Sequence, residues 1–199
     1  MVADLLLLRP LITEKLLASA ENDDVEMQDP SERPFSIYIV PFLSLISEKE
    51  KKISGVVKEL GMTYISIHSH KRPIISESEP PDVVFCTIQK SNQLINNLIE
   101  ANQISRLRTI VIDELHMIGD ESRGYILELL LTKLVYIKRD TPSLKLQIVA
   151  MSATFPNLAQ VASWLSAELY VTSFRPVTIR EYIKTVGSPP GFYQIMPAV

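Results

Sequence analysis

A single cysteine, Cys86, leaves no partner for an internal disulfide and fits a reducing compartment. Basic residues are not in excess either: 20 Lys and Arg stand against 23 Asp and Glu, a formal net charge of −3. That balance removes the overall signature of a non-specific nucleic-acid binder. It says nothing against a local phosphate-binding face, because total charge hides distribution. Long apolar runs are missing too. "MVADLLLLRPLITEKLLASA" carries Asp4 where a signal peptide has a basic cluster, and Arg9, Pro10, Glu14 and Lys15 interrupt it. It reads neither as a leader nor as a bilayer span. There is no internal repeat. What is present is 46% hydrophobic and 22% charged over 199 residues, which suits one globular domain, or a domain plus a tail, and excludes a mostly disordered chain. The chain reads as soluble and intracellular, with no membrane partner.

The apolar residues fall into alternating short and long segments. "FSIYIV" (35–40), "TYISIHS" (63–69), "DVVFC" (82–86), "TIVI" (109–112) and "LQIVAM" (146–151) have the length and β-branched content of buried strands. Between them, Leu45, Ile46, Ile53, Val56, Val57 and Leu60 recur at helical spacing with Gly61 as a C-terminal stop, and "NQLINNLIEANQI" reads as a second helix. "YILELLLTKLVYI" (125–137) is apolar nearly all round and is expected to be deeply packed. "NLAQVASWLSAELY" forms a further helix with Asn157 as N-cap, its Trp164 in the core, and the first twenty residues form one with a break or kink near Pro10. Residues 21–34 are an acidic surface loop, and "GSPPGFYQIMPAV" is a loose tail. Strands alternating with helices of ten or more residues predict an α/β fold with a parallel sheet covered on both faces.

Each apolar strand ends in chemistry. After 35–40 come Pro41, Phe42, Leu43 and Ser44; after 82–86 come Thr87, Gln89, Lys90 and Asn92. After 109–112 come Asp113, Glu114 and His116; after 146–151 come Ser152 and Thr154. In open α/β sheets ligands bind beyond the carboxyl ends of the strands, so these four sets are expected along one rim. Carboxylates are costly to bury, and their place at a strand exit explains how a buried strand tolerates two of them. Consecutive strand residues point oppositely, so Asp113 and Glu114 can serve different partners.

"VIDELHMIGD" together with "MSATFPN" resembles motifs II and III of superfamily 2 helicases of the DExH-type, Ski-like branch. "ELLLTKLVYI", "PNLAQVASWLSAELY" and "FRPV" resemble most the polymerase-theta type of helicase domain. The resemblance covers roughly residues 1–184 and implies a RecA-like lobe of P-loop NTPase type, with residues 1–177 as part of the lobe and 178–199 as the start of a linker. It implies ATP and Mg²⁺ as cofactors, single-stranded or forked DNA and a second RecA-like lobe as partners, and a nuclear location. By position, Asp113 would hold Mg²⁺ and Glu114, also close to the metal, would activate the hydrolytic water. His116 would couple the two lobes, and Ser152 and Thr154 would link hydrolysis to DNA movement. Pro41 and Ser44 match motif Ia, and Thr87, Lys90 and Asn92 match motif Ib; both imply contacts to the DNA backbone.

The sequence departs from that family in identifiable places. No G-x-x-x-x-G-K-[ST], the loop whose amides and lysine grip a triphosphate, is present, and "MVADLLLL" is similar to the helix that follows it in the family. The Walker A strand and loop and the second lobe are therefore expected to be missing, leaving a truncated lobe inactive alone. Gln89 stands where such helicases often carry an acid, and "HSHKRPIISESEPP" has no glycine where a DNA-facing loop would have one. The competing expectation is a non-catalytic DNA- or protein-binding module derived from a helicase lobe. Blander readings exist for each residue: turn acids for Asp113 and Glu114, capping for Ser152 and Thr154, and a solvated helix start for Lys90 and Asn92. His68, His70, Lys71 and Arg72 read as a surface loop without a metal set, and Cys86 as inert core.

Overall fold

In the computed structural model, the described residues are 2–21, 32–68, 75, 80–153, 156–172, 174, 177, 180, 182–186 and 193–197. The chain divides into two units, Met1–Ala167 and Glu168–Val199.

The first unit is built on a parallel sheet. β1 (Phe35–Val40), β2 (Tyr64–Ser66), β3 (Val83–Thr87), β4 (Leu107–Ile112) and β5 (Gln147–Ala150) lie in the order β2-β3-β1-β4-β5. All four neighbouring pairs run parallel, with Val40 level with Thr87, Ile39 level with Ile112, and Ile112 level with Ala150. Parallel strands need crossovers, and helices supply them: α2 (Leu43–Glu59), α3 (Ile88–Glu100) and α4 (Gly124–Asp140). α1 (Val2–Glu21) precedes β1, and the short α5 (Leu158–Trp164) follows β5.

Alternation along the strands feeds two cores. Phe35, Ile37, Ile39, Val84, Cys86, Ile110 and Ile112 join Leu94, Ile95, Leu98, Leu127, Leu130, Leu131 and Leu134 of α3 and α4. Tyr38, Val40, Val83, Phe85 and Val111 face the other way, onto Leu7, Leu8 and Leu11 of α1 and Ile46, Ile53 and Val57 of α2. This is the sheet covered on both faces that the strand pattern predicts.

Several local expectations change. β5, expected to be buried, is an outer strand among the described residues; Gln147 and Ala150 are exposed, with Ile148 and Val149 only half-buried. α1 runs as one helix with Pro10 inside it. Proline cannot donate to the carbonyl four residues back; that carbonyl, Leu6 O, instead accepts a 3.5 Å bond from the Thr109 hydroxyl of β4. α4 is apolar in composition yet one-sided in packing: Leu127, Leu130, Leu131 and Leu134 are buried while Tyr125, Leu129 and Tyr136 are exposed. α5 stops at Trp164, short of the predicted helix, and Asn157 at its N-cap sits in the left-handed region without a side-chain capping bond. Trp164 is half-buried against the α3–α4 core. Gly61 ends α2 as its spacing predicts: its φ is +61°, and the amides of Gly61 and Met62 donate to Lys58 O and Val57 O.

In the second unit, β6 (Tyr182–Val186) pairs antiparallel with β7 (Tyr193–Pro197). The stretch expected to be a loose tail therefore carries one strand of a two-stranded ribbon. Residues 22–31, most of the expected acidic loop, and His70, Lys71 and Arg72 lie outside the described residues.

Candidate nucleotide and nucleic-acid rim

Because β3, β1, β4 and β5 are parallel neighbours, their carboxyl ends form one rim. Thr87, Pro41, Asp113 and Ser152 follow one another along it, each at or just past the end of its strand. Backbone bonds fix the centre: the Asp113 amide donates to Ile39 O (2.9 Å), Met151 to Ile112 O (2.9 Å) and Leu115 to Met151 O (2.8 Å).

The two acids take different partners. Asp113 continues the face of Val111, towards α1 and α2, and its Oδ2 lies 2.9 Å from Lys49 Nζ of α2. Its Oδ1 accepts the Glu114 amide at 3.1 Å. Burial works against the Lys49 charge, but the adjacent Tyr38 hydroxyl and Asp113 carboxylate outweigh it and hold the ammonium above its ordinary range. The Tyr38 ring lies beneath, its centroid 5.2 Å from Nζ, and burial pushes its hydroxyl up in turn.

Glu114 sits at φ 58°, ψ 51°, the left-handed region, and caps a single 3₁₀ turn, Leu115–Gly119. A glutamate there stores strain of order 1 kcal/mol, tolerated because Asp113 and Leu115 are anchored on either side. The kink turns Glu114 away from Lys49: its Oε2 lies 3.3 Å from His116 Nδ1. The same Nδ1 is 3.4 Å from the Ala153 amide. One nitrogen cannot do both at once. Neutral with its lone pair on Nδ1, the ring accepts from Ala153; protonated there, it donates to Glu114. His116 thus joins the segment after β4 to the segment after β5. Ser152 is exposed, and its hydroxyl donates to Ala153 O at 2.7 Å. Thr154 lies outside the described residues.

The other half of the rim, beyond β1 and β3, is a hollow of about 370 Å³ lined by Pro41, Phe42, Leu43, His68, Thr87, Gln89, Lys90 and Arg123. Arg123 bridges it to α4: its guanidinium donates to Pro41 O at 3.0 Å and lies 4.9 Å from the Phe42 ring centroid. Lys90 donates to Gln93 Oε1 at 3.1 Å on the first turns of α3. Ser44 is exposed on the first turn of α2, whereas Pro41 and Thr87 are buried. Asn92 faces elsewhere: its amide oxygen accepts from Lys133 of α4 at 3.0 Å.

Lys49 and Arg123 are absent from the sequence-derived set. Lys49 lies in the charge run "SEKEKK", which reads as solvated; yet it stands between Ile46 and Ile53 at spacings of three and four, on the stripe that faces the core. A lysine on an apolar stripe was the available signal. Arg123 carries none beyond its neighbour. A side chain at Gly124 would meet Ile118 O at 2.2 Å, so only glycine lets the chain close the turn that places Arg123.

Whether these side chains suit a divalent cation turns on the donor set. Asp113 offers the hard oxygens that Mg²⁺ takes one or two at a time beside water and phosphate. Among the described residues no group of three His, Cys, Asp or Glu could hold an ion by itself. The residue type fits; its outer oxygen already carries an ammonium.

The chain is similar to known proteins. The DEAD/DEAH box helicase family profile covers residues 11–161. DNA polymerase theta of Mus musculus is 44% identical over 166 residues, 78% of this chain and 6% of that protein. The helicase POLQ-like protein of Homo sapiens is 37% identical over 150 residues, 74% of this chain and 13% of that protein. The ATP-dependent DNA helicase Hel308 of Thermoplasma volcanium is 38% identical over 151 residues, 73% of this chain and 20% of that protein. The chain thus spans a fifth or less of the length of these relatives. Among solved structures, the DUF1998 helicase MrfA bound to DNA matches 67% of this chain and 20% of its own, with a TM-score of 0.50 and 17% identity, a likeness of fold.

Proposed function

The chain belongs to the DEAD/DEAH box helicase family, and from that premise we propose that its first unit is a nucleotide-facing RecA-like lobe of a DNA helicase of the polymerase-theta type. The observation that carries the reading is the single rim. Asp113 and Glu114 stand at its middle with different partners, and a mixed apolar and basic hollow opens beside them. In this reading Asp113 would hold the Mg²⁺ of Mg-ATP, which supplies neutralisation of phosphate charge when bound. Glu114, half-buried and turned aside, orients and deprotonates the attacking water. His116 reports the state of that end to Ala153 and the Ser152–Thr154 segment. Pro41, Ser44, Thr87, Lys90 and Arg123 line the track for a single-stranded DNA backbone, and the likeness to DNA polymerase theta of Mus musculus supports a nuclear location. Phosphate contacts of this kind need few charges and carry no sequence information, so a net charge of −3 is no obstacle.

A polypeptide of these 199 residues carries no G-x-x-x-x-G-K-[ST] to cradle the triphosphate, so an ATPase assay needs that loop supplied. A second reading is a module that holds DNA or a partner lobe without turnover, and the cations and ring beside the hollow, Lys90, Arg123 and Phe42, support it. Two assays separate them. Joined to a phosphate-binding loop and second lobe from a polymerase-theta-type relative, the chain should show DNA-stimulated ATP hydrolysis that Glu114→Gln abolishes. No stimulated hydrolysis in that chimera, with single-stranded DNA binding by the chain alone intact, favours the binding module. The absence of both rejects the helicase reading.

A further inference from the structure

A cation already sits at the centre of the rim. Lys49 Nζ is 2.9 Å from Asp113 Oδ2, with the two side chains only 19% and 14% exposed. The opposite oxygen accepts the Glu114 amide, so both oxygens of this carboxylate are engaged from within the chain. Nor is Lys49 a surface arm that swings in. It rises from the core face of α2, between the buried Ile46 and Ile53, and its ammonium rests over the ring of the fully buried Tyr38. Helix, ring and carboxylate together hold the charge at one place.

We propose that Lys49 is a built-in counter-ion occupying the cation position of Asp113, so that a divalent metal gains this carboxylate only in competition with the ammonium. The inference rests on Asp113 being the metal-holding residue of the proposed function and adds a residue no helicase motif quoted above contains. Its physical content is electrostatic. An ammonium about 6 Å from a divalent ion repels it by enough, even at the dielectric of water, to weaken binding about tenfold. In return the carboxylate is neutralised when no metal is bound, and the exit of β4 keeps its shape. The metal contact is thereby biased towards a state in which phosphate oxygens add their own charge to the site.

Paramagnetic broadening by Mn²⁺ alone, followed on the ¹⁵N-labelled full chain, tests this without any turnover. In the wild type, amide signals of Ile112, Asp113 and Glu114 should broaden only at high Mn²⁺. Lys49→Met should lower the Mn²⁺ concentration needed about tenfold. Lys49→Arg, which keeps the charge, should behave as the wild type, and Lys49→Met with Asp113→Asn should lose the broadening. Signal dispersion reports folding in the same spectra, and Lys49→Gln gives a second neutral replacement. An unchanged or weaker Mn²⁺ response in both neutral variants, with Asp113→Asn still reducing it in the wild type, overturns the inference and leaves the metal role of Asp113 standing. Broadening that ignores Asp113 in every background removes that role and the inference with it.

Discussion

At the β4 end of the rim, Asp113 is 14% exposed and paired at 2.9 Å with a lysine. At the β1–β3 end, Phe42 and Ser44 are open to solvent, and Lys90 and Arg123 border a hollow of about 370 Å³. In the first place charge meets opposite charge; in the second the bonds described above join the cations to neutral partners, Gln93 Oε1, Pro41 O and the Phe42 ring. On the proposed reading, the charges held in register for nucleotide chemistry are the ones fixed by packing beneath them. A track that tolerates any base needs only a few cations and a ring at its edge. The same sheet supplies both because its strands end level, and the difference lies in the helices: α2 presents a lysine from its buried stripe, whereas α4 sends an arginine across its own N-terminus.

The largest effect that would break this contrast is at Gly124. Gly124→Ala drives a methyl into Ile118 O, 2.2 Å away in the native backbone. It should cost about 2–3 kcal/mol in urea unfolding and displace Arg123 from Pro41; a loss under about 0.5 kcal/mol, the range of a surface change, would show that the turn is not held by this contact. Next is the pair at the centre. Lys49→Met leaves Asp113 uncompensated and should cost about 1.5–3 kcal/mol, the worth of a hydrogen bond to a charged group. Repeating it in an Asp113→Asn background should cost clearly less, and equal costs in the two backgrounds would dissolve the coupling. Smaller again, Lys90→Ala should leave urea stability within about 0.5 kcal/mol and flatten the salt dependence of single-stranded DNA binding by about 0.7 in log–log slope. Smallest, Tyr136→Ser on the exposed side of α4, where Tyr136 is 66% exposed, should shift stability by less than about 0.5 kcal/mol and DNA affinity not at all.

Much of this frame is legible in the sequence. Strand runs separated by helices predict the parallel sheet, and the polar residues after Val40, Ile112 and Ala150, with Thr87 closing β3, predict the shared rim, because alternation and crossover geometry leave few other solutions. What escaped depends on contacts between distant segments. β5 reads as buried from its letters, yet its exposure depends on what lies beside it. Helix α4 reads as apolar on all sides, and only its one-sided packing leaves Tyr125, Leu129 and Tyr136 in solvent. Asn92 shares its helix with Lys90, but two residues of helical rotation put it on the opposite side, where Lys133 of α4 reaches it. Where α1 passes Pro10, the Leu6 carbonyl left without its helical donor meets the Thr109 hydroxyl, roughly a hundred residues away. Lys49 alone was within reach, as a charge standing on an apolar stripe.

The division of the rim is tested most directly by fluorescence anisotropy of a single-stranded DNA probe across a salt series, comparing Arg123→Ala and Lys90→Ala with Glu114→Gln. Two substitutions beside the hollow should each weaken binding and flatten the slope by about 0.7, while Glu114→Gln leaves both untouched. Equal losses from all three, or none from the basic pair, would contradict the separation of a nucleotide end from a polynucleotide end.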